Sequence, residues 1–207
     1  MNDQRIWEFL ISKGLTPAGA AGLMGNLYAE SAFNPKNLQG SYEKKLGFTD
    51  ETYTAAVDNG SYTNFVRDCA GYGLAQWTYW SRKSALLTFA RTAGKSVGDL
   101  EMQLAFLIQE ISGYKSVYAV LTTTDSVKAA SDIVLTQYER PADQSETAKN
   151  RRAGYSQTYY DKYAVSTPET EKMVTPPRSG LSPPSSANRR KLPGPKSRSA
   201  TAGFSVR

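Results

Sequence analysis

Residues 16–31 read TPAGAAGLMGNLYAES, a clear helix-start signal followed by a run that would make a poor helix in isolation. Thr16 stands as an N-cap, and Pro17 at the first helical position, where its missing N–H costs nothing. Ala18, Gly19, Ala20, Ala21, Gly22 and Gly25 are all small, and each glycine costs about 1 kcal/mol against alanine in a helix interior. Such a segment is worth ordering only if other elements pack tightly against it. It predicts a central, buried helix around which the rest of the chain is built.

The flanking sequence fits that scheme. QRIWEFLISKG (4–14) places Ile6, Phe9 and Leu10 at helical spacing, with Gly14 as a stop. From Leu38 to Asp68 the helical periodicity lapses, and TYTAAV and YTNFV are separated by the turn signal Asp58-Asn59-Gly60, which predicts a small antiparallel hairpin. Apolar helices are expected again at 81–93, 99–111, 125–138 and 145–163, with Ser84, Asp99, Asp125 and Ser145 as N-caps. The expected fold class is α+β, mostly helical, with a β-hairpin insert, in one domain over residues 1–164.

The formal charge of +6 is not spread over that domain. Residues 165–207 hold 8 Lys/Arg and 2 Asp/Glu, which leaves 17 of each sign in residues 1–164. The tail also holds 7 of the 10 prolines and one aromatic, Phe204, so it is expected to be a disordered basic segment. A neutral folded part without a basic stripe argues against a nucleic-acid partner. No apolar run approaches the roughly 18 residues of a membrane span, and MNDQRIWEFLISKGL lacks the features of a signal peptide, so synthesis in the cytoplasm is expected.

The 207 residues include no histidine and one cysteine, Cys69, read as a small buried apolar residue. Intramolecular disulfides, His-containing metal sites and Ser-His or Cys-His nucleophiles are thereby excluded, and no metal or cofactor is expected. Acid–base chemistry near neutral pH falls chiefly to carboxylates. Glu30 continues the stripe Ala20, Leu23, Leu27 on the second helix, where partial desolvation favours a protonated carboxyl suited to general acid work; a solvated helix end or an arginine partner is the other reading. The segment DCAGYGLAQWTYW (68–80) joins Gln76 to the aromatics Tyr72, Trp77, Tyr79 and Trp80, a combination suited either to sugar rings or to the core.

Taken together, AESAFNP (29–35), GYGLAQWTYWSRK (71–83) and YERPAD (138–143) resemble the phage tail lysozyme or endolysin family of the lysozyme-like superfamily, over roughly residues 4–163. The resemblance implies a lysozyme-like fold and a peptidoglycan substrate, cut at the β-1,4 bond between N-acetylmuramic acid and N-acetylglucosamine. It implies Glu30 as the catalytic acid, followed by Ser31, with Gln76 near the bound sugar and Tyr138 within reach of the cleft. The alternatives are a lytic transglycosylase leaving anhydro-muramic ends, or a non-catalytic wall-binding or tail-structural protein. A second carboxylate, where one is used, is sought among Asp68, Asp58, Asp50 and Glu43, with Asp68 favoured because it leads into GYGLAQW. Asp68 is equally readable as a turn or capping residue.

Glu139 is the one other acid singled out, read as an ion-pair partner of Arg140, Arg151 or Arg152 ahead of a catalytic role. The expected partners are peptidoglycan and a phage tail or wall polymers, with the C-terminal tail readable as a wall-polymer anchor or a solvated linker and the protein acting as a monomer. Deleting residues 165–207 is expected to leave cleavage of soluble wall fragments unchanged, measured as released reducing or anhydro ends; a large loss of turnover would assign the tail a part in the chemistry.

Overall fold

The computed structural model describes residues 2–165. The expected tail therefore lies almost wholly outside the described residues. Among the described residues nine α-helices follow in chain order: α1 Asn2–Ser12, α2 Pro17–Ser31, α3 Gly40–Leu46, α4 Asp50–Asp58, α5 Trp80–Thr92, α6 Leu100–Gly113, α7 Lys115–Thr123, α8 Val127–Ile133 and α9 Glu146–Tyr160. A π-helical turn, Val134–Glu139, continues α8, and another, Asp161–Val165, continues α9. Among the described residues no helix is long and apolar enough to cross a membrane.

Helix α2 is the buried centre. Thr16 caps it by accepting the Gly19 N–H, and every residue from Ala18 to Leu27 is buried. Its glycines are explained by three different neighbours. A Cβ on Gly19 would stand 1.9 Å from the Leu121 carbonyl oxygen of α7, one on Gly22 2.4 Å from the Ala130 Cβ of α8, and one on Gly25 2.1 Å from the Ser156 Oγ of α9. Backbones thus approach α2 on several sides, and Leu23, Met24 and Leu27 fill the core with Ile6, Leu10, Leu107 and Val117. The helix stops at Ala32, which takes the left-handed conformation (φ 49) and returns its N–H to the Tyr28 carbonyl; Phe33 follows at φ 64.

The expected hairpin is not present. TYTAAV lies inside α4, which Thr49 and Thr52 open with a reciprocal capping box, and Tyr53, Thr54 and Val57 are buried on one helical face. The cap and the burial at i, i+1 and i+4 override the β-branched composition. Extended pairing among the described residues is confined to two isolated antiparallel bridges, Leu38 with Tyr72 and Tyr72 with Trp77.

The cap assignments also divide. Asp99 and Ser145 cap α6 and α9 as expected, whereas Ser84 lies within α5 and Ser126 rather than Asp125 caps α8. The expected helix 125–138 changes hydrogen-bonding period at Val134, and α3 and α7 had no counterpart in the pattern.

Alanine normally stabilises a helix over glycine by about 1 kcal/mol. Here the packing reverses the sign, since overfilling a tight contact costs about 1–3 kcal/mol. Gly22→Ala and Gly25→Ala should each lower the unfolding free energy measured by urea denaturation, while Gly40→Ala, which meets nothing within 4 Å, should not.

Candidate active site

The αL stop at Ala32 leaves Glu30 in the last turn of α2, beside an open cleft of about 430 Å³ lined by Glu30, Gln39, Gln76, Tyr79, Arg82 and Glu139, among others. One wall is the loop 68–79. Its backbone is laced to residues 37–39: Gly73 N–H donates to the Asn37 carbonyl (2.9 Å), Gln39 N–H to the Gly71 carbonyl (2.9 Å), and Tyr72 and Trp77 exchange two hydrogen bonds. Buried Gln103 supports the wall from behind, accepting the Leu74 N–H at 2.9 Å and donating to the carbonyls of Pro35 and Val97.

Glu30 faces a charge cluster. Its Oε1 accepts from Arg152 Nη2 of α9 at 2.6 Å, and Arg152 Nη1 donates to Glu139 Oε2 at 2.8 Å. Asn26 holds the same guanidinium through its carbonyl and side-chain oxygens, while its own Nδ2 donates to the carbonyls of Gly22 and Ser131. The Glu30 side chain keeps 21% of its surface exposed; that of Glu139 keeps 5%.

Two carboxyls therefore share one guanidinium. Burial, and then the negative charge of Glu30, push the Glu139 carboxyl well above the usual carboxylate range, with Arg152 opposing them. Glu139 Oε1 receives no hydrogen bond among the described residues. One guanidinium thus faces two carboxyls, and burial together with the charge of Glu30 favours a proton on Glu139.

The π-helical turn explains how Glu139 reaches this position. It widens the helix by one residue per turn, so that the consecutive residues Tyr138 and Glu139 are both turned inward. Arg140 then reverses the chain at φ 51, which brings Pro141 to the cleft edge.

The residues singled out by sequence separate into two groups. Glu30 and Gln76 line the cleft together. Gln76 spends its amide hydrogens on the carbonyls of Asn37 and Gly73, leaving its carbonyl oxygen for a ligand. Ser31 lies behind them, its hydroxyl within 3.1 Å of the carbonyls of Leu27 and Leu74, and so joins α2 to the loop wall.

The others face inward. Tyr72 is fully buried, its hydroxyl 2.7 Å from Thr54. Trp77 and Tyr138 donate to Glu110 Oε2, at 2.9 and 2.5 Å, and Glu110 in turn holds Arg82 in a bidentate pair at 2.7 and 2.8 Å. Burial opposes ionisation of Glu110, but Arg82, Tyr138 and Trp77 together hold it below its ordinary range. These aromatics position Arg82 at the cleft rather than lining it.

Asp68 does not join the cleft. It accepts from Lys83 Nζ (2.6 Å), Tyr53, Tyr62 and the Ala70 N–H, and its side chain and that of Lys83 have no exposed surface. Removing one partner of such a buried pair costs about 3–5 kcal/mol, which marks it as a fixture of the loop. Asp50 and Asp58 are likewise committed, to Asn34 and the Leu38 N–H, and to Ser96 and the Val97 N–H; Glu43 sits on α3. Cys69, expected to be buried, is exposed at φ 62.

Sequence reasoning passed over Glu110, Arg82 and Asn26, and weighed an ion-pair role for Glu139 above a catalytic one. The pairing with Arg152 is present, as that reading allowed, but it is shared with Glu30.

Comparison with known proteins bears on this arrangement. The family model for phage tail lysozyme matches residues 1–163. Morphogenesis protein 1 of Bacillus phage B103 is 25% identical over 163 residues, an alignment covering 75% of this chain and 38% of that protein. The chain thus spans well under half the length of this relative.

The raised Glu139 carboxyl has a stability consequence. From the unfolded-chain value of about 4.3 up to its folded value, the native protein holds one more proton than the unfolded chain. The associated stability is complete at low pH and is lost as pH rises through that window, with a limiting slope of about 1.4 kcal/mol per pH unit. Glu139→Gln, which cannot titrate, should flatten that slope in urea unfolding followed from pH 4 to 8; an unaltered slope would show that no proton is retained there.

Proposed function

The chain belongs to the phage tail lysozyme family, and on that premise we propose that it is a peptidoglycan glycosidase of lysozyme-like fold, with Glu30 as proton donor. The substrate is the glycan strand, cut at the β-1,4 bond between N-acetylmuramic acid and N-acetylglucosamine. The single observation that carries the reading is a carboxyl at the end of the central helix, open to a cleft and paired with a second carboxyl across one arginine. A pure binding protein has no need of that charge imbalance.

In the proposed reaction the glycan lies along the cleft between Glu30 and the loop wall, with the Gln76 carbonyl oxygen, Gln39 and Arg82 able to meet hydroxyl and acetamido groups. Glu30, the more exposed of the two carboxyls, delivers a proton to the glycosidic oxygen as the bond from C1 to that oxygen breaks. Arg152 then balances the resulting carboxylate.

Glu139 is not suited to act as nucleophile or base across the sugar. Enzymes using paired carboxyls place them to either side of the scissile bond, about 5–5.5 Å apart for retention or about 6.5–9.5 Å for inversion, whereas these two converge on one guanidinium and Glu139 keeps only 5% of its side-chain surface exposed. This favours assistance by the substrate's own N-acetyl oxygen at C1. The intermediate is then opened by water, giving a reducing end, or by the muramic C6 hydroxyl, giving an anhydro end. Kinship with a phage morphogenesis protein supports an enzyme that works in the setting of the phage particle.

Glu30→Gln keeps the shape of the site and removes the proton. Its rate of cleavage of purified cell walls should fall by a factor of about 10² to 10⁴, with mass spectrometry of the parent's products assigning the ends. A variant as active as the parent would refute Glu30 as the acid.

A further inference from the structure

Tyr79 and Trp80 are the most exposed aromatic side chains among the described residues, at 63% and 47%. The other aromatics of this loop point inward, Trp77 to Glu110 and Tyr72 to Thr54. Two exposed aromatic faces side by side are a place where an interaction surface is to be sought. Both rings are held: Tyr79 occupies the N-cap of α5 and Trp80 its first turn, and their centroids lie 6.0 Å apart, tilted by 43°.

The pair forms one side of a second groove, of about 370 Å³, lined by Val66, Arg67, Cys69, Thr78, Tyr79 and Trp80. Thr78 and Tyr79 line the active cleft as well, so the two depressions adjoin. The Arg67 guanidinium lies 5.4 Å from the Trp80 ring centroid, and Arg67 has no ion-pair partner among the described residues.

We propose that this groove is an extension of the cleft that binds further sugar units of the same glycan strand, with Tyr79 and Trp80 stacking on their C–H faces and Arg67 meeting a carboxylate of their peptide stems. The inference rests on the reading of the cleft as a glycosidase site. Three features select a glycan rather than another occupant. The groove adjoins the cleft at Thr78 and Tyr79, so the next units of a polymer held in the cleft lie within its reach; it offers flat rings with polar edges, which suit pyranose faces; and its cation, without an ion-pair partner among the described residues, matches the anionic stems that this polymer carries.

The test uses the full-length chain carrying Glu30→Gln, and glycan fragments of one, two and four disaccharide repeats, each with peptide stems and with the stems removed by an amidase. Affinity is read by calorimetry. The parent background should bind four repeats at least tenfold more tightly than one, and Trp80→Ala should bring that ratio close to unity, with Trp80→Phe retaining most of it. Arg67→Gln should weaken stem-bearing fragments more than stripped ones.

If Trp80→Ala keeps the length dependence, or weakens all lengths equally while melting at the parent temperature, the extension is refuted. Cleavage of cell walls by the protein with Glu30 intact is measured in parallel. Cleavage with an unchanged length dependence in Trp80→Ala refutes the extension alone. Absence of cleavage with Trp80-dependent binding of long fragments refutes the glycosidase reading and supports the extension as a binding groove.

Discussion

Ser156 of α9 occupies the space that a side chain on Gly25 of α2 would need, and the organisation of the site follows from that contact. Arg152 precedes Ser156 by one helical turn, so the close approach of the two backbones also sets the guanidinium over Asn26 and Glu30. Buried ion clusters are weak sources of stability because desolvation offsets their attraction. The position of Arg152 therefore derives from small-residue packing of α2 against α9. A bulkier residue at position 25 would displace the cation as well as the helix.

Among the described residues three buried or half-buried charge groupings hold the site and its loop wall, and their stoichiometry distinguishes them. Lys83 meets Asp68 one to one, and Arg82 meets Glu110 one to one. Both fix structure: one secures the loop before α5, the other aims Arg82. Among the described residues only Arg152 faces two carboxyls. There burial and the charge of Glu30 raise the Glu139 carboxyl, and both carboxyls line the cleft.

Much of the helical scaffold was legible because its determinants are local. Thr16 and Pro17 mark a start, Gly14 a stop at φ 84, and the small residues of 18–25 announce tight packing without naming the neighbours. The hairpin reading failed over 50–58 because β-branched composition pointed one way while a capping box and a buried helical face decided the other. The aromatics of GYGLAQWTYW could not be sorted by pattern. Tyr72 and Trp77 turn inward and Tyr79 and Trp80 outward through bridges to residues 37–39 and through Glu110, which is distant in the chain.

By itself the sequence determined the available chemistry: without histidine, acid–base work near neutral pH is left chiefly to carboxyl groups, and Glu30 stands at the end of a helix that has to be central. Only the tertiary structure decided its company. Asp68, near the glycine-rich loop in sequence, is consumed by Lys83, whereas Glu139, more than a hundred residues from Glu30, arrives beside it by way of a π-helical turn and a shared arginine. Local propensity and periodicity depend on neighbours along the chain; the proton affinity of a carboxyl depends on neighbours in space, and those are set when helices pack.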